Sequence, residues 1–312
     1  MAHTYRIGAD ENGLGARLGP LVVTAVLARV DEAGALTLRR RLPKRIRRDI
    51  GDSKQLISHA DFRLGEAWAR ALVDGASASP AELFARLSLE SAELLREPCP
   101  EQALAQCWGF AGAAFDAPDE LVARVSGHRE ELARRGIEIV GVRTSVVCTK
   151  RLNTARERGH NRFVSDLHAM ERLIIALRKS AGKDVHAVCG KVGGMNEYSK
   201  FFGPLSGFLH AIMEQGRARS GYRFPGVGEV HFVRDADAED ALVMLASLVG
   251  KWVREILMKS IAHHYEPDAP PEERPSGYHD PLTARFVGAS ALLRKQRKIP
   301  ETCFERARDA NE

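Results

Sequence analysis

The sequence predicts an α/β fold, a mixed central sheet flanked by helices, on two observations. Apolar, β-branched runs such as residues 21–30 and 137–147 read as buried strands. They interleave with segments of helical period, most clearly Phe163, Leu167, Met170, Ile174 and Leu177. Strands and helices mixed in one order give a layered α/β domain rather than separate all-α and all-β parts. The chain has 312 residues, room for one elaborated domain or two small ones.

In chain order, residues 5–10 form a strand ending in acid, and Gly13, Gly15 and Gly19-Pro20 break it. Residues 21–30 follow as a second strand, so the pair reads as a hairpin or tight meander. A basic run comes next, Arg39, Arg40, Arg41, Lys44, Arg45, Arg47 and Arg48. It is either a phosphate-facing patch or a solvated loop. Beyond Gly51-Asp52-Ser53-Lys54, residues 57–72 are expected to be helical. Residues 76–135 are rich in Ala, Leu and Glu with Pro breaks, which predicts several short helices. Strands are expected at 137–147, 184–189 and 230–233, with a Gly-rich stretch at 190–194. One long helix is expected from Asp237 to about Lys259, and the tail from Gly288 is basic (Arg294, Lys295, Arg297, Lys298).

The composition, 44% hydrophobic and 28% charged, is that of a folded protein. A net charge of +5 is only mildly basic, a weak pointer to nucleic acid. The five cysteines are odd in number and form no C-x-x-C pair, which argues against a disulfide framework and a zinc ribbon. No apolar leader and no bilayer-length run is present, so the expected compartment is the cytoplasm and no membrane partner is expected.

Three constellations could carry chemistry. Asp10-Glu11 ends an apolar strand. Adjacent strand residues point to opposite faces, so both reach one site only if the chain bends, and Asn12-Gly13 supplies a bend. Such a pair beside glycine amides suits a hard cation and a phosphate; the plainer reading is a polar strand end. On the long helix, Ser247, Lys251 and Glu255 form one polar stripe, an ordinary exposed stripe unless something brings it to Asp10. In Ser276-Gly277-Tyr278-His279, Tyr278 is either a platform for a sugar or base or a loop anchor. His263-His264 diverge on a helix and read as surface or capping residues.

Taken in order, these pieces resemble the ribonuclease HII (type 2 ribonuclease H) family, in its archaeal and eukaryotic branch. The family's opening G-x-D-E-x-G-x-G motif is similar to Gly8-Ala9-Asp10-Glu11-Asn12-Gly13-Leu14-Gly15, leading to Gly19-Pro20, and its D-S-K-x-L to Asp52-Ser53-Lys54-Gln55-Leu56. Its V-D-x-x-G resembles the stretch from Val188-Cys189-Gly190 to Gly193, with Tyr198 downstream. K-A-D-A and the helix after it resemble Asp235-Ala236-Asp237-Ala238 and the segment 245–255, and Gly277-Tyr278 and the segment 299–304 resemble its closing motifs.

The resemblance implies a ribonuclease H-like domain over residues 1–260, with a helical insertion at about 76–135, and a C-terminal helical, substrate-reading region over 261–312. It implies metal-dependent cleavage, with Mg²⁺ or Mn²⁺, of RNA in RNA–DNA hybrids or at ribonucleotides in duplex DNA. The first two acids map onto Asp10 and Glu11, the third onto Cys189 and the fourth onto Glu255, so Asp10, Glu11 and Glu255 are the expected metal ligands. Asp235 or Asp237 is the alternative source of the acid lost at Cys189, although in the family that segment leads into the helix rather than holding metal. Gly13, Leu14, Gly15, Arg17, Lys54, Ser247, Lys251 and Tyr278 are the expected nucleic-acid contacts.

Cys189 departs from this pattern, because a thiol is a soft ligand and Mg²⁺ needs hard oxygen. Glu255 keeps its charge on a longer arm, and Leu14 stands where the family carries a cation. A catalytically inactive nucleic-acid binder is therefore the alternative to an active nuclease. A protein partner at the helical insertion is a second alternative.

Overall fold

In the computed structural model, which describes residues 3–40, 42–73, 75–109 and 113–307, the sheet grows outward from β1 (Thr4–Asn12). β2 (Leu21–Val30) pairs antiparallel with it, and β3 (Ile137–Val147) pairs antiparallel with β2. On the other side, β4 (Val185–Gly190) lies parallel to β1. β5 (Ala211–Gln215), β6 (Arg219–Phe224) and β7 (Gly228–Val233) complete seven strands in the order β3-β2-β1-β4-β7-β6-β5, with β7 parallel to β4 and the last two antiparallel. The α/β class and the mixed sheet are thus as expected. The hairpin of β5 and β6 has no counterpart in the sequence reading, because β5 is exposed along its whole length and lacks the alternation that marks a half-buried strand.

Two helices cover the sheet. Arg162–Ala181 packs over β1, β2 and β3 on one face, where Ile7, Ala9, Leu173 and Ala187 share a core. The long helix Ala241–Tyr265 lies on the other face, buried over most of its length. Its approach to β1 is so close that a Cβ on Gly8 would sit 2.3 Å from the Leu242 backbone. No side chain fits there.

The long helix does not start at Asp237. Asp240 adopts an extended backbone and caps it, accepting from the Leu242 and Val243 amides at 2.9 and 3.1 Å. A separate turn, Ala236–Glu239, precedes it, entered through Asp235 at φ 58°. At the other end the helix runs past the expected boundary to Tyr265. The helix expected over 57–72 is likewise shorter, Arg63–Leu72.

Within 76–135 the described residues form helices Pro80–Leu87, Ala92–Arg96, Glu101–Trp108 and Asp119–Arg134. Leu83, Leu87, Trp108, Val125 and Leu132 enter the same core as the long helix. The segment is therefore built into the domain, and cutting it out would open that core. In the basic run, Arg45 is held by Glu131 through two bonds of 2.9 and 2.7 Å and Arg48 meets Asp49, while Arg41 lies outside the described residues. The C-terminal helices Pro281–Ala289, Ala291–Gln296 and Glu301–Phe304 close a small third core around Leu18, Met258, Phe286 and Phe304. No helix is long and apolar enough to cross a membrane among the described residues.

Candidate active site

The pleat of β1 sends Gly8, Asp10 and Asn12 toward the long helix and Ile7, Ala9 and Glu11 toward the opposite face. At the strand end the two carboxylates still converge. A Cβ built on Gly190, at the end of β4, would lie 2.8 Å from Asp10 Oδ1 and 3.4 Å from Glu11 Oε2. Gly13, at φ 88°, provides the turn just beyond them.

Asp237 joins them from the short turn before the long helix. Asp10, Glu11, Asp237, Lys54 and Gly190 line one open cleft of about 380 Å³, with Arg217 and Arg234 at its wall. Lys54 Nζ donates to Asp237 Oδ2 at 3.1 Å. The Lys54 backbone is fixed by Asp52, which accepts from its amide at 2.9 Å. Ser53 and Ser247 hydroxyls bond at 2.8 Å, and Asn12 Nδ2 donates to Ser247 O at 3.2 Å, so the long helix grips the strand end.

The electrostatics favour a cation. Burial pushes the Asp10 carboxyl well above the usual range, repulsion from Glu11 adds to this, and Ser247 and Lys54 oppose it. Burial, then Asp166, raises Glu11 to about 8. Asp166, on the helix beneath, is fully buried and neither of its oxygens has a hydrogen-bond partner among the described residues. Burial and the nearby Asp10 push its carboxyl far up as well. Burial works against the Lys54 ammonium, but the Asp237 bond outweighs it and raises its pKa. Crowded carboxylates held against their own ionisation are what a divalent ion would relieve, and three hard oxygen donors suit Mg²⁺ or Mn²⁺. By donor chemistry Asp10, Glu11 and Asp237 suit such a metal, but their oxygens are not all gathered within reach of one ion, and Asp237 would have to leave Lys54 and move inward to join the other two.

This charge crowding sets a pH dependence. Glu11 rises from 4.5 to about 8 on folding, so the folded chain keeps a proton that the unfolded chain releases in that interval. The stability it contributes is complete below the ordinary carboxylate range and is lost as pH climbs toward 8. His186 and His231 are pushed the other way, chiefly by burial, and weigh in only below their ordinary 6.5. Cys99, lowered to about 6 by its bond to Cys148, acts in the opposite sense over the same interval, so the expectation is comparative. In chelator, the melting temperature should fall more steeply, or rise less, between about pH 6.5 and 8 in the wild type than in Glu11→Gln. Mn²⁺ should reduce that difference. Identical pH profiles for the metal-free wild type and Glu11→Gln would contradict this account.

The structure does not bring Cys189 or Glu255 to the cleft. Cys189 pairs with Ala9 and points into the apolar core under the 162–181 helix, fully buried. Burial, with Asp166 and Asp10 nearby, keeps its thiol protonated. The residue facing Asp10 and Glu11 is its neighbour Gly190. Glu255 is buried further along the helix and accepts from Arg254 Nη1 at 2.9 Å. The acid that lines the cleft is instead Asp237. Lys251 is also withdrawn, donating to the carbonyls of Ser53 and Ile57 at 3.1 and 2.5 Å.

Beside the cleft, the glycine turn and the tyrosine loop form one unit. Gly277 O accepts from the Arg17 and Leu18 amides at 2.8 and 2.9 Å. Arg254, 1% exposed, lies against Gly13, donates to Ser276 O at 3.0 Å and underlies the half-exposed Tyr278 ring at 4.6 Å. Gly15 is exposed with open space above it, whereas Leu14 packs partly against the core. Arg17 is engaged by Glu305 at 2.7 Å. Arg306, from the tail, donates to the carbonyls of Gly13, Leu14 and Gly19.

Sequence reading missed Gly190, Asp166 and Arg254, and expected Asp237 to lead into the helix where it instead lines the cleft. For Gly190 a signal existed: counted back from Gly193, the D-x-x-G spacing falls on Gly190 rather than Cys189. For Asp237 the signal was Asp240, an N-cap residue directly before the apolar run, which frees the residues ahead of it from the helix. Asp166 sits among polar helix positions and carried no mark of burial.

No family model matches the chain, and no curated protein matches it significantly. Solved structures do. The chain is similar to ribonuclease HII from Archaeoglobus fulgidus, solved in complex with PCNA, at 16% identity and a TM-score of 0.42 over 98% of both chains. It is similar to ribonuclease H2 from Pyrococcus horikoshii OT3 at 17% identity and a TM-score of 0.45, covering 96% of this chain and 92% of that one. It is also similar to Bst ribonuclease HIII in complex with Mn²⁺, at 14% identity and a TM-score of 0.44, covering 99% of this chain and 68% of that one. Likeness at this level assigns no residue a role.

Proposed function

We propose that this chain is a ribonuclease HII-like, metal-dependent endonuclease for RNA in RNA–DNA hybrids or ribonucleotides in duplex DNA, working with a carboxylate set one member short. One observation carries the reading: Asp10, Glu11, Asp237 and Lys54 share an open cleft beside a glycine turn tied to Tyr278. A divalent ion held by Asp10, Glu11 and Asp237 would supply an activated water and charge neutralisation at the leaving oxygen. Lys54, whose side chain is 79% exposed, is free to swing from Asp237 to a phosphate. Arg217 and Arg234 add positive charge at the wall. The exposed Gly15 backbone and the Tyr278 face, stiffened by Arg254, would meet the sugar.

Gly190 favours a second reading, a binder of the same duplexes without turnover, because no carboxylate stands where one would complete the ring. The test is cleavage of a duplex DNA bearing a single ribonucleotide, with Mg²⁺ and then Mn²⁺. The nuclease reading expects cutting beside the ribonucleotide that Asp10→Ala abolishes. Wild-type binding with cleavage no faster than that of Asp10→Ala would leave only the binder. Failure of both to bind the duplex would remove both readings.

A further inference from the structure

Away from the acidic cleft, but on the same face of the sheet, three side chains from two parallel strands meet. His186 of β4 stands opposite Glu229 of β7 in the register, and His231 is two residues further along β7. Their strand neighbours Val185, Ala187, Val230 and Phe232 fill the core on the opposite face, so these three share the outward side. His186 Nδ1 is 3.3 Å and His231 Nε2 3.5 Å from the same Glu229 oxygen, and the donor atoms of all three lie within 4.8 Å of one another. Donors around a tetrahedral ion at bond lengths of about 2.0–2.1 Å are roughly 3.4 Å apart. The two imidazole–carboxylate distances are already at that spacing.

Arg223 Nη1 lies 3.7 Å from the other Glu229 oxygen, which leaves the shared oxygen to the two imidazoles. The His231 side chain is 3% exposed, whereas those of His186 and Glu229 are 32% and 31% exposed. One donor is thus a fixed anchor and the others open to solvent. Gly221 on β6 makes room for the anchor, since a Cβ there would lie 2.6 Å from His231 Nδ1. Burial lowers the pKa of both imidazoles, with His231 and then Arg6 adding to it at His186, and Arg219 at His231. Glu214 Oε1 lies 3.8 Å from His231 Nδ1 and 2.7 Å from Arg219.

We infer that His186 Nδ1, His231 Nε2 and a Glu229 carboxylate oxygen bind a borderline transition-metal ion of the Zn²⁺ class, with its remaining position open to water. Imidazole donors select Zn²⁺ over Mg²⁺, so this site and the all-oxygen cleft take different ions. Arg219 Nε now donates to His231 Nδ1 at 3.3 Å. With Nε2 on the metal, Nδ1 carries the proton and turns it to Glu214, while Arg219 keeps its own bond to that carboxylate. Glu214 then acts as the supporting carboxylate of a carboxylate–histidine–metal relay.

The test uses the metal alone on the full chain. Calorimetric titration with Zn²⁺ is expected to show one ion bound per chain in the wild type. Binding should weaken by more than about a hundredfold in His186→Ala and in His231→Ala, and by about ten- to hundredfold in Glu214→Gln. Co²⁺ should give the intense visible bands of a four-coordinate site without a thiolate charge-transfer band. His186 is the more exposed histidine and carries the test if His231→Ala misfolds. The inference is overturned if the wild type binds no Zn²⁺, if His186→Ala binds it as tightly, or if the Co²⁺ spectrum shows thiolate ligation.

Discussion

Gly190→Asp is expected to raise the cleavage rate on a single-ribonucleotide duplex by about a hundredfold or more, the scale on which a displaced catalytic group costs activity. A side chain at this position starts 2.8 Å from Asp10 Oδ1 and 3.4 Å from Glu11 Oε2. Its carboxylate would therefore add a further hard donor to the Asp10, Glu11 and Asp237 set. Without metal that charge lands among carboxyls already pushed upward by burial and mutual repulsion. The variant should be less stable than wild type in chelator and gain more from Mn²⁺. Cys189→Asp is the contrast. It would drive a carboxylate into the apolar core beside the unpartnered Asp166, at a cost of several kcal/mol and with no gain in rate. Equal rates for Gly190→Asp and wild type in saturating Mn²⁺ would show that the missing carboxylate is not what limits this chain.

Arg254→Ala is expected to cost about 3–5 kcal/mol of stability, the usual penalty for stranding one partner of a buried ion pair. Glu255, 5% exposed, would lose its 2.9 Å bond to Arg254 in a buried setting. The bond to Ser276 O and the support under the Tyr278 ring would go too. Arg254→Met combined with Glu255→Gln removes both charges and should recover much of the loss. Urea unfolding followed by circular dichroism measures all three. A loss below about 1 kcal/mol in Arg254→Ala would mean that water already satisfies Glu255 and that the pair does not hold the tyrosine loop. The recovered double variant should still bind the duplex less well than wild type, since Tyr278 would lack its platform.

The sheet and its two covering helices were legible because burial writes itself into period. Leu21–Val30 and Ile137–Val147 are found where the apolar runs place them. Exposed β5 carries no such signal, and its hairpin went unread. At the site, Asp10 and Glu11 were legible from their motif, and their convergence from the glycine that follows. Gly190 and Cys189 differ by one residue, but one residue in a strand is the difference between cleft and core. That choice depends on which face β4 turns to β1, and pairing across the sheet decides it. Asp237 was hidden by a helix drawn too long, since Asp240 ends one turn and starts the next. Arg254 and Asp166 gain their meaning only from tertiary neighbours.

Arg306 also bears on when the site is set. The turn after β1 looks local, yet the bonds that fix it come from a residue 287 to 293 positions away. During synthesis the first strand emerges early and can find β2 at once. Its glycine turn must wait for the final helices to dock, because contacts of such separation close late. A chain cut before Arg306 would still carry Asp10, Glu11 and Asp237, and Gly277 would still hold Arg17 and Leu18, but the carbonyls of Gly13, Leu14 and Gly19 would lose their common donor. Removal of the residues from Arg306 onward should therefore loosen the glycine turn while leaving the sheet standing, which amide hydrogen exchange at residues 13–19 would report.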